Sequence, residues 1–257
     1  MKNIKHLLLG LLLYSGNSFA QLKPAQYKDG TQILNGFKIA PVKKSTKNPG
    51  ILILPAWRGI DKLSKDTAER LSKLGYYAFI VDIYGEGNYP KDNTEAGKIA
   101  TSYKKDFEAY QKRINLALQQ LIAAGANADN IVVIGYCFGG TGALEVARGH
   151  LKAKGVVSFH GGLGRDAARP IEPITAKVLV CHGADDPFES KEEITAFQQE
   201  MRDTKADWQM IYYANAVHSF TNPESGNDNS KGAAYNEIAA KRSFEHLQLF
   251  LNEVLKK

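Results

Sequence analysis

Only two cysteines, two tryptophans and three methionines occur in the 257 residues. Two cysteines, Cys137 and Cys181, are too few for a disulfide-built scaffold. Neither belongs to a Cys-x-x-Cys pair, which argues against a thioredoxin-like redox protein. Long apolar runs are scarce as well. Beyond the first twenty residues no segment is long and apolar enough to span a bilayer, so no membrane span is expected in the mature protein. No internal repeat and no domain linker interrupts the chain, so a single domain over residues 21–257 is expected. The net charge is +6. Its lysines (Lys43, Lys44 and Lys47, then Lys104 and Lys105, then Lys256 and Lys257) are scattered and not interleaved with aromatics. They read as solvated faces and exclude a nucleic-acid surface.

The first twenty residues stand apart. Lys2 and Lys5 make a basic start, residues 7–14 an apolar run, and Ser18-Phe19-Ala20 a small-x-small cleavage site. This is the pattern of a signal peptide over residues 1–20. A mature chain beginning near Gln21 and exported to the periplasm or beyond is expected. The apolar run is short for a membrane anchor.

What is present is a regular alternation of strand and helix patterns. Residues 33–40 and 50–55 read as strands, 62–74 as a helix ended by Gly75, and 77–81 as a strand. Phe107, Tyr110, Ile114, Leu118 and Leu121 recur at helical spacing. Further strands are read at 131–136, 156–159, 178–181 and 208–213, with a last helix carrying Phe244, Leu247, Phe250, Leu251 and Val254. Strands alternating with helices imply an α/β fold, a mostly parallel central sheet with helices on both faces. Ligands of such sheets bind at the carboxyl ends of the strands.

The central stretch is Ile131-Val132-Val133-Ile134-Gly135-Tyr136-Cys137-Phe138-Gly139-Gly140. A buried strand runs into a sharp glycine-flanked turn, and a helix over 141–149 follows. This is the nucleophile-elbow pattern, with cysteine in place of serine. Small residues two positions either side of the nucleophile let strand and helix approach closely. The N–H of Phe138 can then face a developing oxyanion.

Asp186 and His218 also follow strands, on the same carboxyl edge. Taken singly, Asp186 reads as a turn aspartate before Pro187 and His218 as a loop histidine; Asp185 competes with Asp186 as the acid. Taken together, nucleophile, acid and histidine occur in the chain order of an α/β-hydrolase triad. The chemistry needs that set: a thiol requires a base to take its proton, and the base a carboxylate to orient it. His160, in His160-Gly161-Gly162, lies on the same edge but after the nucleophile, and reads as pocket lining or a turn. A metal site from His182, Asp185 and Asp186 is disfavoured, since adjacent acids do not easily face one ion.

With these residues in place, the chain resembles the dienelactone hydrolase family of α/β-hydrolases. Gly-Tyr-Cys-Phe-Gly-Gly at 135–140, His182-Gly183-x-x-Asp186, His218-Ser219-Phe220, Asp82-Ile83-Tyr84 and the 55–59 loop carry the likeness, which runs from about residue 32 to 254. The resemblance implies Cys137 as nucleophile, His218 as base and Asp186 as its orienter, with the backbone N–H groups of Phe138 and Trp57 as oxyanion donors. It implies a small ester or lactone as substrate and an acyl-thioenzyme intermediate, with no metal or organic cofactor.

Three departures matter, one for the thiol and two for the substrate. Ala56 stands where the family's glutamate holds the resting thiol. Glu86 and Asn222 stand where its two carboxylate-binding arginines are expected, so one charge is lost and one reversed. A dienelactone is therefore disfavoured and an uncharged substrate expected; Arg58 is a further candidate for a positive charge in the pocket. Two rival readings are a catalytically silent α/β-hydrolase fold that binds a small ligand and a redox protein using Cys137. Alkylation with loss of esterase turnover separates hydrolase from binder, and peroxide consumption separates hydrolase from redox protein. In the fold this chain resembles, the strand at 156–159 separates those of Cys137 and Cys181. Two strand spacings, roughly 9–10 Å, exceed the reach of a disulfide, about 7 Å, so both thiols are expected to be free.

Overall fold

The computed structural model describes residues 20–257; the expected leader lies outside these residues except for Ala20. Eight strands form one sheet: β1 (Lys23–Asp29), β2 (Gln32–Ile39), β3 (Gly50–Leu54), β4 (Tyr77–Ile80), β5 (Ile131–Tyr136), β6 (Gly155–Phe159), β7 (Lys177–Gly183) and β8 (Trp208–Tyr213). Their order across the sheet is β1-β2-β4-β3-β5-β6-β7-β8. β1 and β2 form an antiparallel hairpin, and β2 lies antiparallel to β4. From β4 to β8 every pairing is parallel.

Parallel strands buried on both faces need apolar residues at every position. In β3, Ile51 and Ile53 join one core while Leu52 and Leu54 join the other; in β5, Val132 and Ile134 oppose Ile131 and Val133 in the same way. Helices α1 (Lys62–Lys73) and α6 (Glu237–Val254) cover the first core. Helices α3 (Phe107–Ala123), α4 (Phe138–Arg148) and α5 (Lys191–Asp203) cover the second. Each of these aliphatic side chains contributes about 1.5–3 kcal/mol on burial, so the central strands anchor the fold.

Two elements carry too little apolar signal to read from the sequence. β1 is Lys-Pro-Ala-Gln-Tyr-Lys-Asp, an edge strand burying only Tyr27. Its single exposed side suits the proline, which cannot donate to a ladder. Helix α2 (Asn93–Lys105) buries only Ala96 and Ala100 and is started by the Asp92 side chain accepting the Glu95 N–H. The strand order places β6 between β5 and β7, as the resemblance implied, and both cysteines are free thiols.

Candidate active site

The elbow is built by close packing. Helix α4 starts at Phe138, three residues before the start expected from the sequence, because the turn itself is its first turn. A Cβ on Gly135 would lie 1.9 Å from the Gly139 carbonyl oxygen, and one on Gly139 would lie 2.1 Å from that of Leu54. Neither position accepts a side chain without moving backbone. Cys137 is held at φ +52°, in a region that L-residues with a Cβ rarely occupy. Its N–H bonds to the Phe159 carbonyl and its carbonyl accepts the Thr141 N–H. His160 and Ser219, in the neighbouring loops, also have positive φ. Such strain persists only where the surroundings over-determine it, and it gathers here at the sheet's carboxyl edge.

Three side chains meet at that edge. His218 Nε2 lies 3.1 Å from Cys137 Sγ, and His218 Nδ1 lies 2.9 Å from Asp186 Oδ2. The Asp186 carboxylate is shielded from solvent, and its second oxygen accepts the Phe188 N–H at 3.0 Å. Asp185, the competing acid, is exposed. The His218 backbone is fixed by residues 232–234: its N–H bonds to the Gly232 carbonyl, and its carbonyl accepts the Ala234 N–H. That brace comes from a polar loop and left no signal in the sequence.

Burial disfavours charge on both the thiol and the imidazole, but their mutual contact outweighs it. The Cys137 thiol is held below its usual range by the His218 hydrogen bond and charge. The His218 imidazole, bonded to Asp186 and Cys137, is pushed up to about 10. Both shifts favour a thiolate beside an imidazolium. The Phe138 N–H faces the sulfur and adds to the shift.

Tyrosines fix the residues around the sulfur. Phe138 stacks on Tyr110 with ring centroids 4.6 Å apart, and Tyr110 Oη donates to the Phe138 carbonyl at 2.9 Å. Tyr84 Oη donates to the Trp57 carbonyl at 2.6 Å and its ring stacks on Phe138. Asp82 accepts the N–H groups of Tyr84 and Gly85, which holds the Asp82-Ile83-Tyr84 loop in this position.

His160 is buried, with Nε2 2.8 Å from Thr221 Oγ1 and its ring edge-on to that of His218 at 5.2 Å. Burial and the nearby His218 charge hold it well below the usual histidine range, so it stays neutral and packs against His218. Phe188 meets the His218 ring edge-on from the other side.

The remaining sequence candidates lie elsewhere. The Glu86 carboxylate accepts from Asn35 on β2 and is exposed, so it braces the hairpin rather than facing the sulfur. Arg58 is exposed and donates to Asn93 at the start of α2. Asn222 starts the short turn at 223–225 and lines a separate cavity of about 460 Å³ between α1 and α6. Lys104 is exposed, as expected of a solvated lysine, and its charge also acts on Cys137. Among the described residues no three metal-ligating side chains gather.

Residues 34–255 match the family model described as the dienelactone hydrolase family. The chain belongs to that family. A Bradyrhizobium protein described as a probable 2-oxo-3-(5-oxofuran-2-ylidene)propanoate lactonase is 29% identical over 79% of this chain and 83% of its own. A Yersinia pestis protein described as a putative carboxymethylenebutenolidase is 24% identical over 67% of this chain and 68% of its own. Among solved structures, a dienelactone hydrolase-like promiscuous phosphotriesterase from metagenomic libraries superposes with a TM-score of 0.86 at 34% identity, covering 92% of this chain and 99% of that one. This dienelactone hydrolase family member is thus an α/β-hydrolase-fold enzyme of the hydrolase class.

Proposed function

We propose that the protein hydrolyses an uncharged ester or lactone through Cys137, His218 and Asp186. The observation that carries this reading is the hydrogen-bonded row from thiol to imidazole to shielded carboxylate at the carboxyl edge of the sheet. In the first half-reaction the Cys137 thiolate attacks the carbonyl carbon. The N–H groups of Phe138 and Trp57 receive the oxyanion, and the His218 imidazolium gives its proton to the leaving oxygen. In the second, neutral His218 takes a proton from water, hydroxide attacks the acyl-thioenzyme, and the thiolate leaves as the acid product forms. Asp186 keeps the imidazole in the required tautomer throughout. No arginine stands at 86 or 222, where the family's carboxylate-binding arginines are expected, and this weighs against a dienelactone carrying a free carboxylate.

The test is a panel of short and long acyl esters, neutral lactones and one ester with a free carboxylate, on wild type and Cys137→Ala. A neutral phosphotriester belongs in the panel because a relative at 34% identity is described as a phosphotriesterase. Turnover of neutral members, lost in Cys137→Ala, is the expected result. Full activity in Cys137→Ala would overturn the assignment of the nucleophile, and no turnover of any member by wild type would leave a ligand-binding role in front. Export completes the proposal: N-terminal sequencing of protein from its native host should begin near Gln21, and an intact Met1 in a soluble cytoplasmic fraction would contradict it.

A further inference from the structure

Three polar groups from three separate elements converge over Gly162, in the loop after β6. A Cβ on Gly162 would lie 3.1 Å from Thr141 Oγ1, 3.2 Å from Lys104 Nζ and 3.4 Å from Glu189 Oε1. Lys104 comes from the last turn of α2 and Thr141 from the first turn of α4, one turn beyond Cys137. Glu189 comes from the loop that carries Asp186. The spot is beside the nucleophile, because the Gly162 loop packs on the elbow: a Cβ on Gly161 would lie 2.7 Å from the Gly140 Cα. Thr141 Oγ1 is buried with no hydrogen-bond partner among the described residues. The other Glu189 oxygen accepts the Leu163 N–H at 3.0 Å, which fixes the carboxyl in place. The mechanism above uses none of Lys104, Thr141 or Glu189.

We propose that Glu189 and Lys104 form a proton-controlled charge gate beside Cys137, which admits anionic reactants when Glu189 is protonated and favours uncharged ones when it is ionised. With Glu189 ionised, its charge offsets the Lys104 ammonium. With Glu189 neutral, the ammonium is free to meet a carboxylate or similar anion, and the unpartnered Thr141 hydroxyl can donate to it. Burial pushes the Glu189 carboxyl up, the Leu163 N–H opposes this, and Glu193 and Asp186 add to the rise against the pull of Lys104. The net position is about 7. The charges acting on Glu189 are therefore Lys104 on α2, Glu193 on α5 and Asp186 on the same loop. His218, pushed up to about 10, keeps its proton through neutral pH and does not set the switch. The sign follows: anions are accepted below about 7 and disfavoured above it.

The gate refines the substrate class of the site proposed above and rests on that reading, but its test needs no substrate. Cys137 is alkylated with iodoacetate, which is anionic, and with iodoacetamide, which is neutral. Each displaces iodide, and peptide mapping reports Cys137 alone. The ratio of the two rates cancels the thiolate fraction. In wild type the iodoacetate-to-iodoacetamide ratio should fall about five- to tenfold as pH rises through about 7, the size expected of one added charge near a protein surface. Glu189→Gln should hold the ratio high and flat across the range, and Lys104→Met should lower it throughout and move its fall to higher pH, because the lysine no longer pulls on the Glu189 carboxyl. A flat ratio in wild type, a slope that survives Glu189→Gln, or a Lys104→Met profile that matches wild type would overturn the gate. Ester hydrolysis is scored separately, so a working gate without turnover would count against the hydrolase reading and not against the gate.

Discussion

Replacing Asp186 with asparagine removes one negative charge and keeps the shape of the side chain. The lost interaction is a single charge-assisted hydrogen bond, His218 Nδ1 to Asp186 Oδ2 at 2.9 Å, with the carboxylate shielded from solvent. Hydrogen bonds to charged groups contribute about 1.5–3 kcal/mol. At 1.36 kcal/mol per pH unit, the protonation of His218 should weaken by about 1–2 units. The Cys137 thiolate depends on that imidazolium, so its titration should move up by a similar amount. The assay is the rate of iodoacetamide alkylation at Cys137 as a function of pH, compared with turnover of a neutral ester. The alkylation profile should move up by about 1–2 pH units, with the loss greatest on its acid side, following the thiolate fraction. Turnover should fall further, by about 10³-fold or more, because each half-reaction also needs His218 in one tautomer. An alkylation profile that moves by less than about half a unit would refute the charge argument. Equal losses in alkylation and turnover would refute the orienting role.

Three further outcomes follow from the packing. Gly135→Ala should lower the melting temperature by about 6 °C or more and abolish rapid alkylation, since its Cβ would lie 1.9 Å from the Gly139 carbonyl oxygen. Arg148→Met should cost about 3 kcal/mol in a thermal melt, because buried Glu145 and Glu200 lose a common partner while Arg165 and Arg169 still contact them. Cys181, whose thiol burial pushes up to about 12, should alkylate orders of magnitude more slowly than Cys137, and mass spectrometry without reduction should show both thiols free.

The legible parts of this protein are those where chemistry forces a local pattern. β5 and the elbow were readable because a buried parallel strand must be apolar throughout and the turn admits no side chain at Gly135 or Gly139. Asp186 and His218 were readable through chain order and their places after β7 and β8. β1 and α2 were not, because an edge strand and a small-residue helix bury little. Of the pocket candidates, His160 packs against His218, while Glu86 and Arg58 are drawn to other partners. Glu86 follows its motif in sequence, but Asn35 on β2 draws its carboxylate away. Lys104 sits on the unread helix, and only the packing of α2 brings its ammonium to Gly162. Side-chain direction at the rim depends on contacts between distant elements, which a local pattern does not encode.

The most direct test of the account is a brief incubation with an activated neutral ester, followed by digestion and mass mapping of the acyl group. A single acyl adduct on Cys137, accumulating in wild type and absent in Cys137→Ala, is the predicted result. An adduct on Ser219 or on any residue other than Cys137 would contradict it.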